Sequence, residues 1–218
     1  MSLIPYPFLC RIAYPCRYRK DMPHEDKDRL LNLPAEYQLA NYTDLAEKRR
    51  FAEIFLGWNE LGLGVQVEVT GKDNPPQGDA GRPRSADGFT FWLDTRDART
   101  SHRASRYCHM FHFLATGGGP EHDEPALISS KINRALADAP PVATGAVPFQ
   151  LTSKTNGYIL EAFLPAAALH GYDSEEHPRL GFYITIRDNE LGEQFLSVGP
   201  EFPFWEDPSL WSVLELVR

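Results

Sequence analysis

The sequence has no long uninterrupted apolar run. Its first twenty residues, MSLIPYPFLCRIAYPCRYRK, are broken by Pro5, Pro7 and Arg11, and a secretory signal needs a charged start followed by a continuous apolar stretch. No other window approaches the apolar length that spans a membrane. From the sequence we therefore expect a soluble, cytoplasmic chain with no membrane partner.

Positive charge is also scarce. The chain has 22 Lys and Arg residues against 30 Asp and Glu residues, which gives a formal net charge of −8 and a pI near 5.4. Proteins that bind a phosphate backbone depend on a concentrated basic field over a whole face. This charge balance argues against a nucleic-acid partner.

Cysteine is rare, with only Cys10, Cys16 and Cys108. A disulfide between Cys10 and Cys16 and three free thiols in a reducing compartment both fit this set. A zinc site would need a second close pair of ligands, and the sequence has none.

Helical periodicity is nearly absent, whereas strand alternation recurs along the chain. In RRFAEIFLGWNELGLGVQVEVTG, the valines at 65, 67 and 69 alternate with polar residues, which predicts a half-buried strand joined to the preceding one through a hairpin at 59–62. DGFTFWLDT repeats the alternation. Further strands are predicted at 106–115, 147–153, 157–164, 180–187, 194–198 and 211–217. Residues 127–138 fit either a short helix or a strand.

Short strands at close spacing predict an all-β fold, with two antiparallel sheets packed as a β-sandwich or in a jelly-roll-like arrangement. Eighteen prolines and sixteen glycines are spread along the chain, as is typical of many turns. We expect an irregular N-terminal arm over residues 1–35 packed on one domain over 36–218. One or two short helical turns are expected, one of them opened by Pro165. The oligomeric state stays open.

Five stretches carry a resemblance to a known family. GYILEAFLPAAAL at 157–169, LGFYITIRDNE at 180–190 and FWEDPSLWSVLEL at 204–216 follow in order after WNELGLGVQVEVTG and DGFTFWLDT. In order and spacing these resemble the family 9 carbohydrate-binding modules and their DOMON-like relatives, over roughly residues 50–218. The resemblance implies a β-sandwich and sugar binding without catalysis.

In that family a sugar ring is clamped between two tryptophans, polar side chains contact its hydroxyl groups, and structural calcium lies nearby. The resemblance places Trp205 as one clamp residue, in the W-x-D-P-S motif, and Arg84 at the position of the other. Its polar positions are occupied here by Thr90, His109 and Thr185. By strand alternation, Trp92 projects from the same face as Thr90, so it is a candidate for a displaced second plate. Arg84 could itself stack on a flat ligand.

The stretch DTRDARTSHRASRYCHMFHF, residues 94–113, suggests a metal or catalytic cluster, but strand alternation argues against one. Cys108, Met110 and His112 form one row and His109 belongs to the other, so the two histidines point to opposite faces. Cys108 and His112 share a face but lie roughly 13 Å apart along a strand. Met110 and His112 would approach a haem iron from one side, which is the wrong geometry for axial ligation.

The loop before this strand has two interpretations. Asp94, Arg96, His102 and Arg103 are either a solvated, self-paired rim or the mouth of the ligand face, where arginine would meet an acidic sugar. Three aspartates are candidate oxygen ligands of a structural calcium, although no spacing specifies such a site: Asp79, Asp87 and Asp94.

Two carboxylates, Glu161 and Asp188, could be taken for a glycosidase pair. They stand in motifs that the binding modules share, so we expect structural roles such as pairing with Arg187 or accepting backbone N–H groups. Trp58 and Trp211 have apolar neighbours and are predicted to lie in the core.

Three functions remain open from the sequence. The first is a non-catalytic sugar-binding or polyol-binding module. The second is a structural or protein-interaction domain that keeps the fold without the sugar site. The third is an enzyme acting through the polar row between Asp94 and His112, for which the sequence supplies no recognised nucleophile and base.

Overall fold

The computed structural model describes residues 12–24, 28–40, 50–143 and 145–218. Strand is the dominant element, and the helical content of these residues consists of short 3-10 turns at Ala35–Tyr37, Pro83–Ser85, Ala166–Ala168 and Pro208–Leu210. The strands are β1 (Ala13–Tyr18), β2 (Ala52–Asn59), β3 (Gly62–Thr70), β4 (Gly88–Asp94), β5 (Cys108–Gly118), β6 (Glu124–Ser130), β7 (Phe149–Lys154), β8 (Gly157–Pro165), β9 (Arg179–Asp188), β10 (Gly192–Phe195) and β11 (Ser212–Val217). The all-β prediction is confirmed. In the ambiguous segment 127–138, residues 127–130 belong to β6, and residues 131–138 lie in neither a strand nor a helix.

The strands follow the order β6-β5-β4-β9-β11-β1-β2-β3-β8-β7, with β10 added beside β9. All pairings are antiparallel except the two made by β1, which runs parallel to both β11 and β2. The terminal strands of this order, β6 and β7, contact each other, so the sheet nearly closes on itself. The result is a β-sandwich whose two halves meet at the β11–β1 pair.

Alternation along the strands builds one core between the halves. Val65 and Val67 of β3, Phe91 of β4 and Phe111 of β5 are fully buried in the same hydrophobic cluster. Because successive side chains in a strand point to opposite faces, the residues between them project outward. On β4 and β5 these outward side chains form the face on which the cleft described below lies.

The outward face of β3 is also buried, which the sequence pattern did not predict. Gln66 is 1% exposed, and its amide hydrogen-bonds both the N–H and the carbonyl of Leu33. A second small hydrophobic cluster lies beside this contact, formed by Met22, Leu31, Leu33, Phe55 and Phe163. The N-terminal segment thus covers the outer surface of β2, β3 and β8.

A buried carboxylate fastens this segment. Glu161 of β8 accepts backbone N–H groups from Leu31 at 3.1 Å and Asn32 at 2.6 Å, and it pairs with Arg29 at 2.7 Å. Leu30 N–H completes the set at 3.3 Å. The expected backbone-accepting role of Glu161 is confirmed.

Asp188 is also structural: of the two roles expected for it, accepting backbone N–H groups is confirmed and pairing with Arg187 is not. Its carboxylate accepts Lys72 Nζ at 2.7 Å and the N–H groups of Glu190 and Leu191, whereas Arg187 pairs with Glu193 instead. Arg187 and Asp188 are neighbours in a strand and so point to opposite faces.

No helix within the described ranges is both long and apolar enough to cross a membrane.

Candidate functional site: a cleft on the outer face of β4, β5 and β9

An open cleft lies on the outward face of β4, β5 and β9, roofed by the segment between β10 and β11. It has a volume of about 150 Å³, roughly ten times the space that a single water molecule needs. Five of the six predicted ligand-binding residues line it together: Arg84, Thr90, Trp92, Thr185 and Trp205. A cleft of this size can take one small ligand such as a single sugar ring.

Strand register explains why the polar residues converge. Thr90 is paired directly with Thr185 on one side and with His112 on the other. Three residues at one level of adjacent antiparallel strands point to the same face. Thr90 Oγ1 lies 2.8 Å from His112 Nδ1, so the cleft floor carries a hydrogen-bonded hydroxyl–imidazole pair.

His112 is neutral at physiological pH. Burial lowers its pKa to about 4, and the nearby positive charge of Arg84 adds to this effect. A neutral imidazole keeps one nitrogen as a donor and the other as an acceptor, which suits ligands that carry hydroxyl groups.

Aromatic side chains form the apolar part of the cleft. Trp92 is only 4% exposed and packs edge-on against Phe204, with ring centroids 5.7 Å apart, and against Tyr183 at 6.0 Å. The prediction that Trp92 shares a face with Thr90 is correct. Trp92 is not an open second plate, however, because Phe204 and Tyr183 cover its ring. The ring is instead part of the cleft floor.

Trp205 is the accessible tryptophan of the cleft. It is partly exposed and packs edge-on against Phe204 at 5.4 Å. Its segment is fixed from both sides, since Asp207 accepts the N–H of Ser209 at 2.9 Å and the Trp211 indole donates to the Phe204 carbonyl at 2.7 Å. The W-x-D-P-S motif thus holds one aromatic plate at the cleft edge.

The predicted core tryptophans are confirmed. Trp58 and Trp211 are both buried, and each indole N–H donates to a backbone carbonyl, that of Val217 for Trp58.

The prediction that His109 is a polar contact of the ligand is wrong. His109 pairs with Leu93, lies on the core side of β5, is 3% exposed and stacks on Phe111 with centroids 5.9 Å apart. The predicted opposition of His109 and His112 is correct, but the residue that faces the cleft is His112. The register of β4 against β5 decides this, because it places His112 rather than His109 beside Thr90.

The four candidate rim residues do not line the cleft. Asp94 is buried and accepts the N–H groups of Arg96 and Ala98, and Arg96 in turn donates to carbonyls of Thr95 and Gly171. These residues shape their own loop. The self-paired interpretation therefore describes them better than the ligand-mouth interpretation.

The other two rim residues support the roof segment. His102 Nδ1 lies 3.0 Å from Asp207 Oδ2 and 3.0 Å from Ser209 Oγ, and Arg103 donates to the carbonyl of Arg134. A catalytic triad needs nucleophile and carboxylate on different ring nitrogens, whereas here both contact the same nitrogen.

Across the described ranges, no group of three or more His, Cys, Asp or Glu side chains is arranged to hold a metal ion. The three candidate calcium aspartates have separate partners. Asp87 accepts Lys72 Nζ at 3.0 Å, Asp79 accepts the N–H of Gly81, and Asp94 is held in its loop. Each of these three carboxylates is thus already engaged by other groups of the protein.

Neither of the predicted enzyme histidines contacts a carboxylate among the described residues. His112 hydrogen-bonds to Thr90, and His109 Nε2 has no partner there. The acidic side chain in the cleft, Glu193, is paired with Arg187 at 2.6 Å. These side chains thus form no histidine–carboxylate pair in the described part of the chain.

Several residues of the cleft were not predicted from the sequence: His112, Arg187, Glu193, Phe195 and Phe204. Strand alternation could have identified Arg187, because it lies two positions after Thr185 on the same strand. Phe204 directly precedes Trp205, but nothing in the pattern shows that it folds down onto Trp92.

Comparison with solved structures finds a similar fold in carbohydrate-binding modules. A family 9 carbohydrate-binding module from Caldicellulosiruptor kristjanssonii, solved with cellotriose, matches with a TM-score of 0.60 at 16% identity, covering 94% of this chain and 93% of that one. The same kind of module solved with glucose matches with a TM-score of 0.60 at 14% identity, over 94% and 96% of the two chains.

A third similar structure, from Bacteroides uniformis, is named as a protein for which carbohydrate binding is suggested. It has a TM-score of 0.50 at 14% identity and covers 83% of this chain and 84% of that one. No family model matches the sequence, and no curated protein does so. At these identities the similarity establishes the fold: the chain is a β-sandwich like that of the family 9 carbohydrate-binding modules.

Proposed function

We propose that the chain is a non-catalytic carbohydrate-binding module that holds one sugar ring in the cleft on β4, β5 and β9. The observation that carries the proposal is the convergence of Trp205 with Thr90, Thr185 and His112 at one opening. An aromatic plate beside a row of hydroxyl and imidazole groups matches the two surfaces of a sugar, its C–H face and its hydroxyl edge.

In this arrangement Trp205 packs on the C–H face of the ring. Thr90, Thr185 and His112 satisfy hydroxyl groups that lose their water on binding, which otherwise costs free energy. Similar structures were solved with glucose and cellotriose, which makes these sugars the first ligands to test.

A second candidate is a protein-interaction domain that retains the sandwich. The burial of Trp92 favours it, because the cleft then offers one accessible tryptophan rather than two. The two candidates differ in one measurable property, the response to free sugars.

The test is isothermal titration calorimetry with a panel of mono- and oligosaccharides that includes glucose and cellotriose, supported by tryptophan fluorescence. We expect saturable binding that is lost, or at least tenfold weaker, in Trp205→Ala. Calorimetry is needed because that substitution also removes the fluorophore. Trp58→Phe is the control, because Trp58 is buried on β2 and does not line the cleft; this variant should bind like the wild type. No heat with any sugar would reject the sugar-binding proposal and leave the interaction domain.

A further inference from the structure

A basic groove continues from the cleft along the outer face of β5 and β6. The groove has a volume of about 520 Å³ and is lined by Arg82, Pro83, Arg84, Ser85, Met110, His112, Ser130, Lys131 and Arg187. Four of these side chains are cationic and none is acidic. In a chain with a formal charge of −8, four cationic side chains are thus grouped at the edge of the proposed sugar site.

The groove and the cleft share four residues, Pro83, Arg84, His112 and Arg187. A ligand whose ring lies in the cleft therefore extends a substituent directly into the groove. The groove is the larger of the two spaces, so the substituent is not confined to one or two atoms.

Arg84 differs from the other three cations of the groove. Arg82 pairs with Asp79 at 3.6 Å, Lys131 with Asp138 at 2.5 Å and Arg187 with Glu193 at 2.6 Å. Arg84 makes no ion pair with any side chain in the described ranges and lies exposed on the 3-10 turn before β4.

Two further observations locate unmet positive charge at this junction. The charge of Arg84 contributes to lowering the pKa of His112, so it acts on the cleft floor itself. Arg187 Nε is buried and has no hydrogen-bond partner in the described part of the chain, although its Nη1 pairs with Glu193.

We propose that the cleft selects a sugar bearing an oxyanion, either the carboxylate of a uronic acid or a sulfate ester, and that Arg84 binds this group where cleft and groove meet. This inference rests on the proposed sugar-binding function. Guanidinium groups bind carboxylates and sulfates through two parallel N–H donors, a geometry that a neutral hydroxyl does not match.

The experiment compares three ligands with the same ring, glucose, glucuronic acid and glucose 6-sulfate, by calorimetry at low salt. We expect at least one anionic sugar to bind about three- to tenfold more tightly than glucose, a range set by the exposure of Arg84. The preference should shrink as salt is added. In Arg84→Gln the ratio of anionic-sugar affinity to glucose affinity should fall to about one.

Arg106→Gln is the matched control, because Arg106 is an exposed arginine outside both cleft and groove. It should leave the preference unchanged. Equal binding of all three sugars would overturn the inference while leaving the sugar-binding proposal intact, as would a preference that survives Arg84→Gln. Absence of binding to any sugar would reject both. The two anionic ligands separate a carboxylate site from a sulfate site.

Discussion

Thr90 and His112 face each other across β4 and β5, with Thr90 Oγ1 2.8 Å from His112 Nδ1. On the opposite side of Thr90, Thr185 stands at the same level of β9, and its hydroxyl makes no hydrogen bond with the described residues. One threonine of this row thus has a structural partner while the other depends on solvent or ligand.

This difference predicts unequal effects of removing the two hydroxyls. Thr90→Val should lower the free energy of unfolding by about 1–2 kcal/mol, because a buried imidazole nitrogen loses its partner. Thr185→Val should change it by less than about 0.5 kcal/mol. Urea denaturation monitored by fluorescence measures both, and Thr90→Ser should restore the wild-type value. Equal losses in the two valine variants would show that the Thr90–His112 contact contributes nothing.

His109 should make the stability depend on pH. Burial lowers its pKa to about 4, from about 6.5 in an unfolded chain. Between these values the unfolded state binds more protons than the folded state, so stability is full above pH 6.5 and falls as the pH decreases toward 4. At pH 4.5 this residue should lower the free energy of unfolding by about 2–3 kcal/mol.

The comparison is the change in unfolding free energy between pH 7 and pH 4.5 in the wild type and in His109→Gln. Because glutamine does not titrate, the variant should lose about 2–3 kcal/mol less over this interval. His102→Gln, at an exposed histidine, controls for histidine replacement and should follow the wild-type curve. An unchanged pH dependence in His109→Gln would contradict the prediction.

Glu161 should account for much of the attachment of the N-terminal segment. In Glu161→Ala, Arg29 and the N–H groups at 30–32 lose their acceptor. We expect the free energy of unfolding to fall by about 3–5 kcal/mol, as is typical when one partner of a buried ion pair is removed. Hydrogen exchange should show reduced protection at 30–33, with β4 and β5 unaffected.

Arg29→Gln provides the matched comparison for Glu161. This substitution leaves the three backbone N–H groups bonded to Glu161 and removes a partly exposed positive charge. The free energy of unfolding should therefore fall by about 1 kcal/mol. A Glu161→Ala loss no larger than that of Arg29→Gln would mean that the backbone contacts to this carboxylate do not stabilise the segment.

Side-chain alternation predicted which residues share a face, but not which face points outward. The rows of β4 and β5 were correct. The family resemblance, not alternation, grouped Arg84, Thr90, Thr185 and Trp205, which line one cleft. The choice between His109 and His112 depended on the register between the strands, which is set by contacts distant in sequence.

The burial of the outward face of β3 could not be predicted from the sequence for a similar reason. A strand pattern with polar residues on one side normally indicates a solvated face. Here Gln66 is covered because Leu33, more than thirty positions earlier in the sequence, hydrogen-bonds its side-chain amide. Periodicity describes a strand on its own and carries no information about a segment that folds over it.

The place of β1 in the strand order has a consequence for how the chain folds. Ala13 pairs with Val213, a separation of 213 − 13 = 200 residues, and this parallel pair joins the two halves of the sandwich. Contacts that close so long a stretch of chain carry a large loop entropy and slow folding. The half that contains the cleft, β4 with β5, β9 and β10, is assembled from residues much nearer to one another in sequence. The ligand face can therefore take shape early in folding, and the seam that closes the sandwich around its core forms late.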